Sequence, residues 1–547
     1  MSVPGSAAAF LVGGTTTRLW RLGVYFRPVD IVYTSVRTIS MPAPFKAPGE
    51  QRQRGLCFRI ATGGGCFLVA AYGFFILWLH THSQILHPPG GSASHEGLAQ
   101  FNDASRRQAM WEVARKDREA YKQKQTIEKP SAHVAPPSGV GGEVHVIFST
   151  DCSFYQDWQT LLVFFTAVAV GQKGQVTRIA SGCPEPKKEE LKQLYQKLFP
   201  QYGVHFTPDF KKDAKTGESY DFYNKPYGVQ HWLRHNPQVK PHTIVAIIDP
   251  DMIFLRPLTA QVAGVPDNIF MRGFDAAAEP PPEFVRRGRP AAQLYGLGAP
   301  WAVDRHRHFN RTAVCGIGSP CLKVVPRYGE MHYSVGPPYL VERDDLARLT
   351  DTWVTMVPKV YAQYPELLAE MYAYSMAAAH ENLPHLTMQH YMVSNTEAMD
   401  EGWPWVDALA DKTCEPAVQG PPGAGGQKTF VYYPGRPLPT MLHYCQFFRV
   451  GEWGFQKRRV PKKLFECEGQ LLGEIPRDIA LTKYKNRDGE IIAIGQKYAR
   501  RNSFMLCGIH SAINELLRDF KRRMCTGPRA DKINLNMTLN LAKALHW

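Results

Sequence analysis

Two carboxylates at positions i and i+2, Asp249 and Asp251, flank Pro250. Proline holds the turn between them, so both can present oxygens to one hard divalent cation. A cation held this way offsets the negative charge that develops on a departing phosphate, without any proton transfer. Acidic turns produce such triplets often, and a solvated turn with Asp249 capping the next element is the bland alternative. The segment in front sets this triplet apart. Residues 243–248 read TIVAII, five of six apolar and mostly β-branched, as a strand covered on both faces requires. A further ligand has to come from elsewhere in the chain, and His443 is the candidate. It follows the short extended segment 438–442 and precedes Gly451, Trp453 and Lys457 in HYCQFFRVGEWGFQK. Neutral imidazole suits manganese, and a lysine on a loop beside glycine suits a diphosphate. A lone histidine otherwise reads as a hydrogen-bonded core residue; the company of His443 favours the ligand.

The elements that must position these groups alternate in type. Residues 145–150 (HVIFST) predict a strand ending in small polar residues, and 158–170 a buried helix. Segments 176–181, 189–198, 204–207 and 225–234 continue as strand, helix, strand and helix up to the TIVAII strand. The expected class is α/β with an open, mostly parallel sheet, and such sheets take ligands beyond the carboxyl ends of their strands. The acidic pair stands at such an end. Asp344 and Asp345 read as N-caps of a helix over 346–355, and 503–523 predicts another helix.

The chain has 547 residues, 44% hydrophobic and 21% charged, which excludes a small stapled scaffold, a disordered chain and a collagen-like one. The net charge of +15 divides into +6 on residues 1–59 and +10 on 456–547, leaving 60–455 near neutral. A nucleic-acid enzyme surrounds its groove with positive charge, so no nucleic-acid partner is expected. Residues 60–79 form an uncharged run of 20, long enough to cross a bilayer core. Lys46, Arg52, Arg54 and Arg59 precede it and only His80 and His82 follow closely. The positive-inside rule then makes it a type II signal anchor with the remainder in the lumen of the Golgi or endoplasmic reticulum. Residues 1–29, with Arg18, Arg21 and Arg27 and no acid, also fit a cleaved targeting peptide, with Met41 as an alternative start. The organisation expected is a cytosolic region 1–59, a span 60–80, a stem 81–143 rich in Pro and Gly at its ends, a catalytic domain 144–475 and a basic helical extension 476–547. A merely solvated surface is the default for the basic tail; acidic lipid head groups or another subunit are the alternatives. Nine cysteines follow the span without a CxxC pair, so lumenal disulfides are permitted and an odd thiol is left free or bonded to another chain. Asn310 and Asn536 head glycosylation sequons.

Several segments together resemble the peptidyl-serine α-galactosyltransferases of plants and green algae, relatives of the hydroxyproline O-arabinosyltransferases. They run in order as VHVIFSTDCSFYQDWQT, GQVTRIASG, YNKPYGVQHWL, IVAIIDPDMIFLRPL, RGRPAAQLYG, GPPYLVERDDLARL, LLAEMYAYSMAAA and MLHYCQFFRVGEWGFQK, within 144–470. The resemblance implies a GT-A glycosyltransferase fold, a UDP-sugar donor, a divalent cation such as Mn2+, and transfer to a hydroxyl of a hydroxyproline-rich, extensin-like secreted protein. For the serine branch it implies UDP-galactose and retention of the α-configuration. Carried over by residue, Asp249 and Asp251 with His443 hold the metal and Lys457 meets the diphosphate near Gly451. Phe148, Ser149 and Thr150 border the uridine, and Asn224 and Lys225 lie by the ribose or diphosphate. Glu370, in AEMYAYS, is the candidate for gripping sugar hydroxyls or the acceptor; its alternative is a helix-surface glutamate facing solvent. No carboxylate stands out as a covalent nucleophile, so front-face transfer is expected. Cys445 stands where the pattern suggests glycine, and 415–428 reads as an inserted flexible loop. Within the same class the alternative is arabinosyl transfer to hydroxyproline from UDP-arabinofuranose. Outside it, a non-catalytic lumenal scaffold would bind glycoproteins without a cation.

Overall fold

The computed structural model describes residues 143–541, apart from 214–216, 263–283, 298, 303–309, 399–400, 408–437, 477–478, 480–483, 486–490 and 493–495. The expected cytosolic region, span, stem and inserted loop lie outside the described residues. Among those described, no helix is long and apolar enough to cross a membrane.

The sheet expected from the alternation is present. Strands β1 (Val144–Thr150), β2 (Val176–Ser181), β3 (Gly203–Thr207), β4 (Ile244–Ile248), β6 (Ala291–Leu294), β7 (Val335–Glu342) and β8 (Leu386–Met388) form seven strands in the order 3-2-1-4-7-6-8. Pairs β1–β2, β2–β3, β1–β4 and β6–β8 are parallel, and β7 runs antiparallel to β4 and β6. Every residue of β4 is buried. Helices α1 (Phe154–Ala169) and α2 (Glu185–Leu198) follow β1 and β2, and α3 (Asn224–His235) precedes β4. Ser153 caps α1 by accepting the Gln156 N–H.

Side chains alternating along a strand sort two cores onto the two faces. Val146, Ala246, Ile248 and Leu340 belong to one, shared with α1; Ile147, Val245, Ile247, Tyr339 and Val341 belong to the other, shared with α3, α4 (Arg343–Gln363) and α5 (Ala369–His380). α4 is longer than its pattern predicted, and the expected cap is corrected. Glu342, not Asp344 or Asp345, accepts the first backbone N–H groups, those of Asp344 and Asp345. Asp345 turns inward instead, accepting from Gly288 N at 2.5 Å and pairing with Arg348 at 2.7 Å. A cap two to three residues earlier was hidden because Glu342 also ends β7, so strand and helix meet with no connecting loop.

Helix α6 (Gln496–Met524) contains the predicted 503–523 segment. Met505, Ile509, Ala512, Ile513, Leu516 and Leu517 recur at helical spacing and are buried in the core that also holds β1 and α1. A Cys467–Cys525 disulfide and Arg523, which donates to the Leu198 carbonyl at 2.9 Å, tie its end to the same body. Cys152–Cys183 and Cys315–Cys321 are also bonded, Cys507 is in a disulfide, and Cys445 is the free thiol among the described residues.

Candidate active site

Three short strands bring His443 to the acidic tip. β5 (Met252–Phe254) leaves the Asp249-Pro250-Asp251 turn and pairs antiparallel with β10 (Met441–His443), which pairs with β9 (Met392–Val393). In the β5–β10 register His443 lies opposite Met252, and Tyr444 N donates to the Asp251 carbonyl at 3.0 Å. A separation of nearly two hundred residues in sequence is thus closed by three backbone pairs. Ligand atoms of Asp249, Asp251 and His443 all lie within 4.8 Å of one another.

Their orientation fits a cation. His443 Nε2 is 3.2 Å from Asp251 Oδ1 and 3.9 Å from Asp249 Oδ2. The outer oxygens are held by lysines: Lys225 Nζ is 2.8 Å from Asp249 Oδ1, and Lys457 contacts Asp251 Oδ2 directly. One oxygen of each carboxylate therefore faces the imidazole. Oxygen and imidazole donors in this arrangement suit a divalent cation. Burial opposes ionisation of Asp251, but His443 and Lys457 more than offset it and hold the carboxyl well below its ordinary value. Burial likewise opposes charge on His443, Lys225 and Lys457. Cys445 and Asp251 raise the imidazole, Asp249 and Glu370 raise Lys225, and Asp251 with Tyr155 raises Lys457.

The two faces of the sheet supply two walls. From the α1 face come His443, Lys457, Tyr155 and Tyr444, whose ring stacks on Trp158 at 5.9 Å. Lys457 follows the hairpin of β11 (Phe448–Val450) and β12 (Trp453–Phe455). Gly451 has φ 57° in its two-residue turn, a conformation that glycine adopts at little cost. From the α3–α5 face come Lys225 and Glu370. Gly228 lets α3 approach closely: a Cβ there would sit 3.1 Å from Ile179 Cγ2. Glu370 is 3% exposed, so the solvent-facing alternative is excluded. Its N–H donates to the Tyr220 hydroxyl at 3.1 Å, and its carbonyl accepts from Trp353 Nε1 at 3.0 Å. Its Oε1 is 3.5 Å from Lys225 Nζ, an ion pair without hydrogen-bond geometry, and makes no hydrogen bond within the protein. Burial pushes the Glu370 carboxyl up to about 7; Lys225 pulls against it and Asp249 adds to it.

The remaining expected residues divide. Ser149 lies at the tip of β1 and donates to the Asn224 carbonyl at 3.2 Å. Asn224 is committed to local structure, accepting from Phe210 N at 2.7 Å and donating to Asp209 at 3.2 Å. Thr150 accepts from Arg178 Nε at 2.7 Å and donates to the Ile179 carbonyl at 3.3 Å. Phe148 is fully buried, edge-on to Phe164 at 5.9 Å, so its side chain belongs to the core rather than to the mouth of the site. Sequence reasoning passed over Tyr339 and Tyr295. Both stand in the quoted blocks GPPYLVERDD and RGRPAAQLYG, and burial of each, with Asp249 among its neighbours, raises its hydroxyl pKa. A tyrosine inside an apolar strand carries no spacing signal that separates it from core.

No family model matches the chain. Two curated proteins named peptidyl serine alpha-galactosyltransferase are similar to it. That of Arabidopsis thaliana is 27% identical over 322 residues, 57% of this chain and 31% of its own length. That of Chlamydomonas reinhardtii is 28% identical over 334 residues, 57% of this chain and 36% of its own length. The resemblance read from the sequence blocks is thus found again, and the aligned part of the chain spans about a third of the relatives it matches. Among solved structures, the bifunctional glycosyltransferase WbbM overlaps 57% of this chain and 47% of its own at 12% identity, with a TM-score of 0.28. The galactosyltransferase LgtC, in complex with donor and acceptor sugar analogues, overlaps 57% and 89% at 10% identity, with a TM-score of 0.29.

Proposed function

We propose that this chain is a metal-dependent, retaining glycosyltransferase of the GT-A type that moves galactose from UDP-galactose to serine hydroxyls of hydroxyproline-rich secreted proteins. The observation that carries the reading is the convergence of Asp249, Asp251 and His443 within 4.8 Å at the carboxyl end of a fully buried strand. The named relatives support the sugar and the peptidyl serine acceptor.

Asp249 Oδ2, Asp251 Oδ1 and His443 Nε2 would hold the cation, which when bound neutralises charge on the diphosphate as UDP departs. Lys225 and Lys457, which hold the outer oxygens of the two carboxylates, would be placed to take up phosphate oxygens. Glu370, deep in the site and beside Lys225, orients hydroxyls rather than forming a bond to sugar. The β-phosphate of the leaving nucleotide then accepts the serine proton on the face it leaves from, and the chain contributes alignment and electrostatics. The disulfides support an oxidising compartment, consistent with residence in the Golgi or endoplasmic reticulum as a type II membrane protein anchored by residues 60–79.

The chain, incubated with Mn2+, a panel of UDP-sugars and a peptide carrying both serine and hydroxyproline, is expected to add galactose to serine. Arabinose on hydroxyproline would replace the donor and acceptor in this reading. Failure to bind either Mn2+ or UDP would favour the scaffold.

A further inference from the structure

The wall beneath Asp249 contains a second polar atom that makes no hydrogen bond within the protein. Tyr339 lies directly opposite Ile247 in the β4–β7 register, and paired residues of an antiparallel ladder project to the same face. Asp249 is two positions beyond Ile247, so the strand's alternation brings Tyr339 to the side from which Lys225 reaches Asp249. The ring of Tyr339 is fully buried and held by Tyr374 at 3.9 Å between centroids. Tyr374 is one helical turn along α5 from Glu370, and its own hydroxyl is engaged with His385 at 2.9 Å. The Tyr339 hydroxyl has no such partner, nor does Glu370 Oε1. One is a donor, the other an acceptor; Glu370 Oε1 lies beside Lys225, and Glu370 and Asp249 are among the charges that act on the Tyr339 hydroxyl.

A buried donor and a buried acceptor left unmade destabilise a fold, and native proteins rarely keep them without a use. Elsewhere in this wall Tyr220 donates to the Leu367 carbonyl and accepts from Glu370 N, and Trp353 donates to the Glu370 carbonyl; the hydroxyls of Tyr223 and Ser375 are also buried without a partner. Lys225 Nζ lies 2.8 Å from Asp249 and 3.5 Å from Glu370.

We propose that Tyr339 Oη and Glu370 Oε1 form the sugar-reading subsite of the donor, the hydroxyl donating to one ring hydroxyl of the sugar and the carboxylate accepting from another. The assignment rests on the nucleotide-sugar reading of the site and adds a specificity-determining residue to it. A polyhydroxylated ring satisfies both atoms at once, whereas a donor whose hydroxyl is inverted or missing leaves one of them unpaired. Discrimination between epimers follows from that penalty.

The test is Tyr339→Phe in the full chain, with UDP, UDP-galactose and its 4-epimer UDP-glucose as probes in Mn2+. Expected are UDP affinity within about twofold of wild type, a roughly 10- to 100-fold loss of kcat/KM for UDP-galactose, and a galactose-to-glucose preference moved toward unity. Thermal stability without ligand should be unchanged or higher, since the hydroxyl removed satisfies nothing in the free protein. A lowered Tm with the sugar preference intact would assign the hydroxyl to structure and overturn the proposal. Glu370→Gln, which keeps an acceptor oxygen, should weaken transfer less than Glu370→Ala; equal losses would count against the carboxylate's part. If wild type shows no Mn2+-dependent UDP binding, the transferase reading fails and the subsite with it. If wild type binds UDP and the phenylalanine variant keeps the sugar preference, the subsite alone fails.

Discussion

Two buried ionic centres lie side by side in this molecule, and they are finished to different degrees. Around Arg178, fully buried on β2, every guanidinium nitrogen has a partner. Nε donates to Thr150 Oγ1 at 2.7 Å, Nη1 to Asp157 at 2.8 Å and to the Tyr195 hydroxyl, and Nη2 to the Asp151 carbonyl at 2.6 Å. Lys187 takes the other Asp157 oxygen at 2.9 Å. Around Asp249 and Asp251 the charges are also paired, yet Glu370 Oε1, His443 Nδ1 and the hydroxyls of Tyr339 and Tyr444 are buried without a hydrogen bond in the protein. A complete network has no capacity for a ligand and contributes to the fold. An incomplete one holds donors and acceptors in place for something that arrives later. Both contain buried charge, so burial alone would not tell them apart; the state of the remaining lone pairs and protons does.

The largest effect should come from the incomplete centre. Asp251→Asn is expected to abolish Mn2+-dependent UDP binding and to lower transfer by about a thousandfold, read by calorimetric titration and donor turnover, with the fold intact by circular dichroism. Wild-type turnover in this variant would break the contrast. At the complete centre the expectation is reversed. Arg178→Met leaves Asp157 without its buried partner and should cost about 3–5 kcal/mol of stability, seen as a lower urea midpoint, while the folded fraction retains its specific activity. Next in size is the response to ligand. Mn2+ with UDP at about one hundred times Kd should stabilise wild type by ~2.7 kcal/mol, and chelation should reverse it without unfolding, because Lys225 and Lys457 neutralise the carboxylates when no cation does. The same additions to Asp251→Asn should leave the melting temperature unmoved.

A separate effect concerns acid. Burial holds His385 down to about 3, and His145 and His510 down to about 4, from an ordinary value of 6.5. Their folded-state values are depressed, so the unfolded chain binds protons that the folded one refuses as pH falls. The stability they contribute is present above pH 6.5 and is lost as the pH drops through about 4. Thermal scans in wild type and in Arg178→Met should fall in parallel across that window, since none of the three histidines touches the Arg178 network. A flat profile would mean that these imidazoles are protonated in the fold.

Local pattern carried far. The apolar run ahead of Asp249 announces a doubly covered strand, the alternation of strand and helix up to β4 gives the class, and the odd cysteine count anticipates the free thiol at Cys445. The candidate ligands were legible because carboxylates and an imidazole are scarce in apolar surroundings and stand out there. The cap at Glu342 was not, because one residue serves a strand and a helix at once. Tyr339 was not, because a tyrosine in a buried strand looks the same whether its hydroxyl is satisfied or held for a ligand.

The amino-acid order by itself determined the strands and helices up to β4, and that two acids end one of the buried strands, since periodicity and propensity act over a few residues. Only the tertiary structure decided that β10 pairs with β5 and so delivers His443 to Asp251, that Lys225 and Glu370 meet from separate helices, and which polar atoms end without a partner. Those are outcomes of long-range pairing and packing. They depend on where the chain returns in space, and no window of sequence records it.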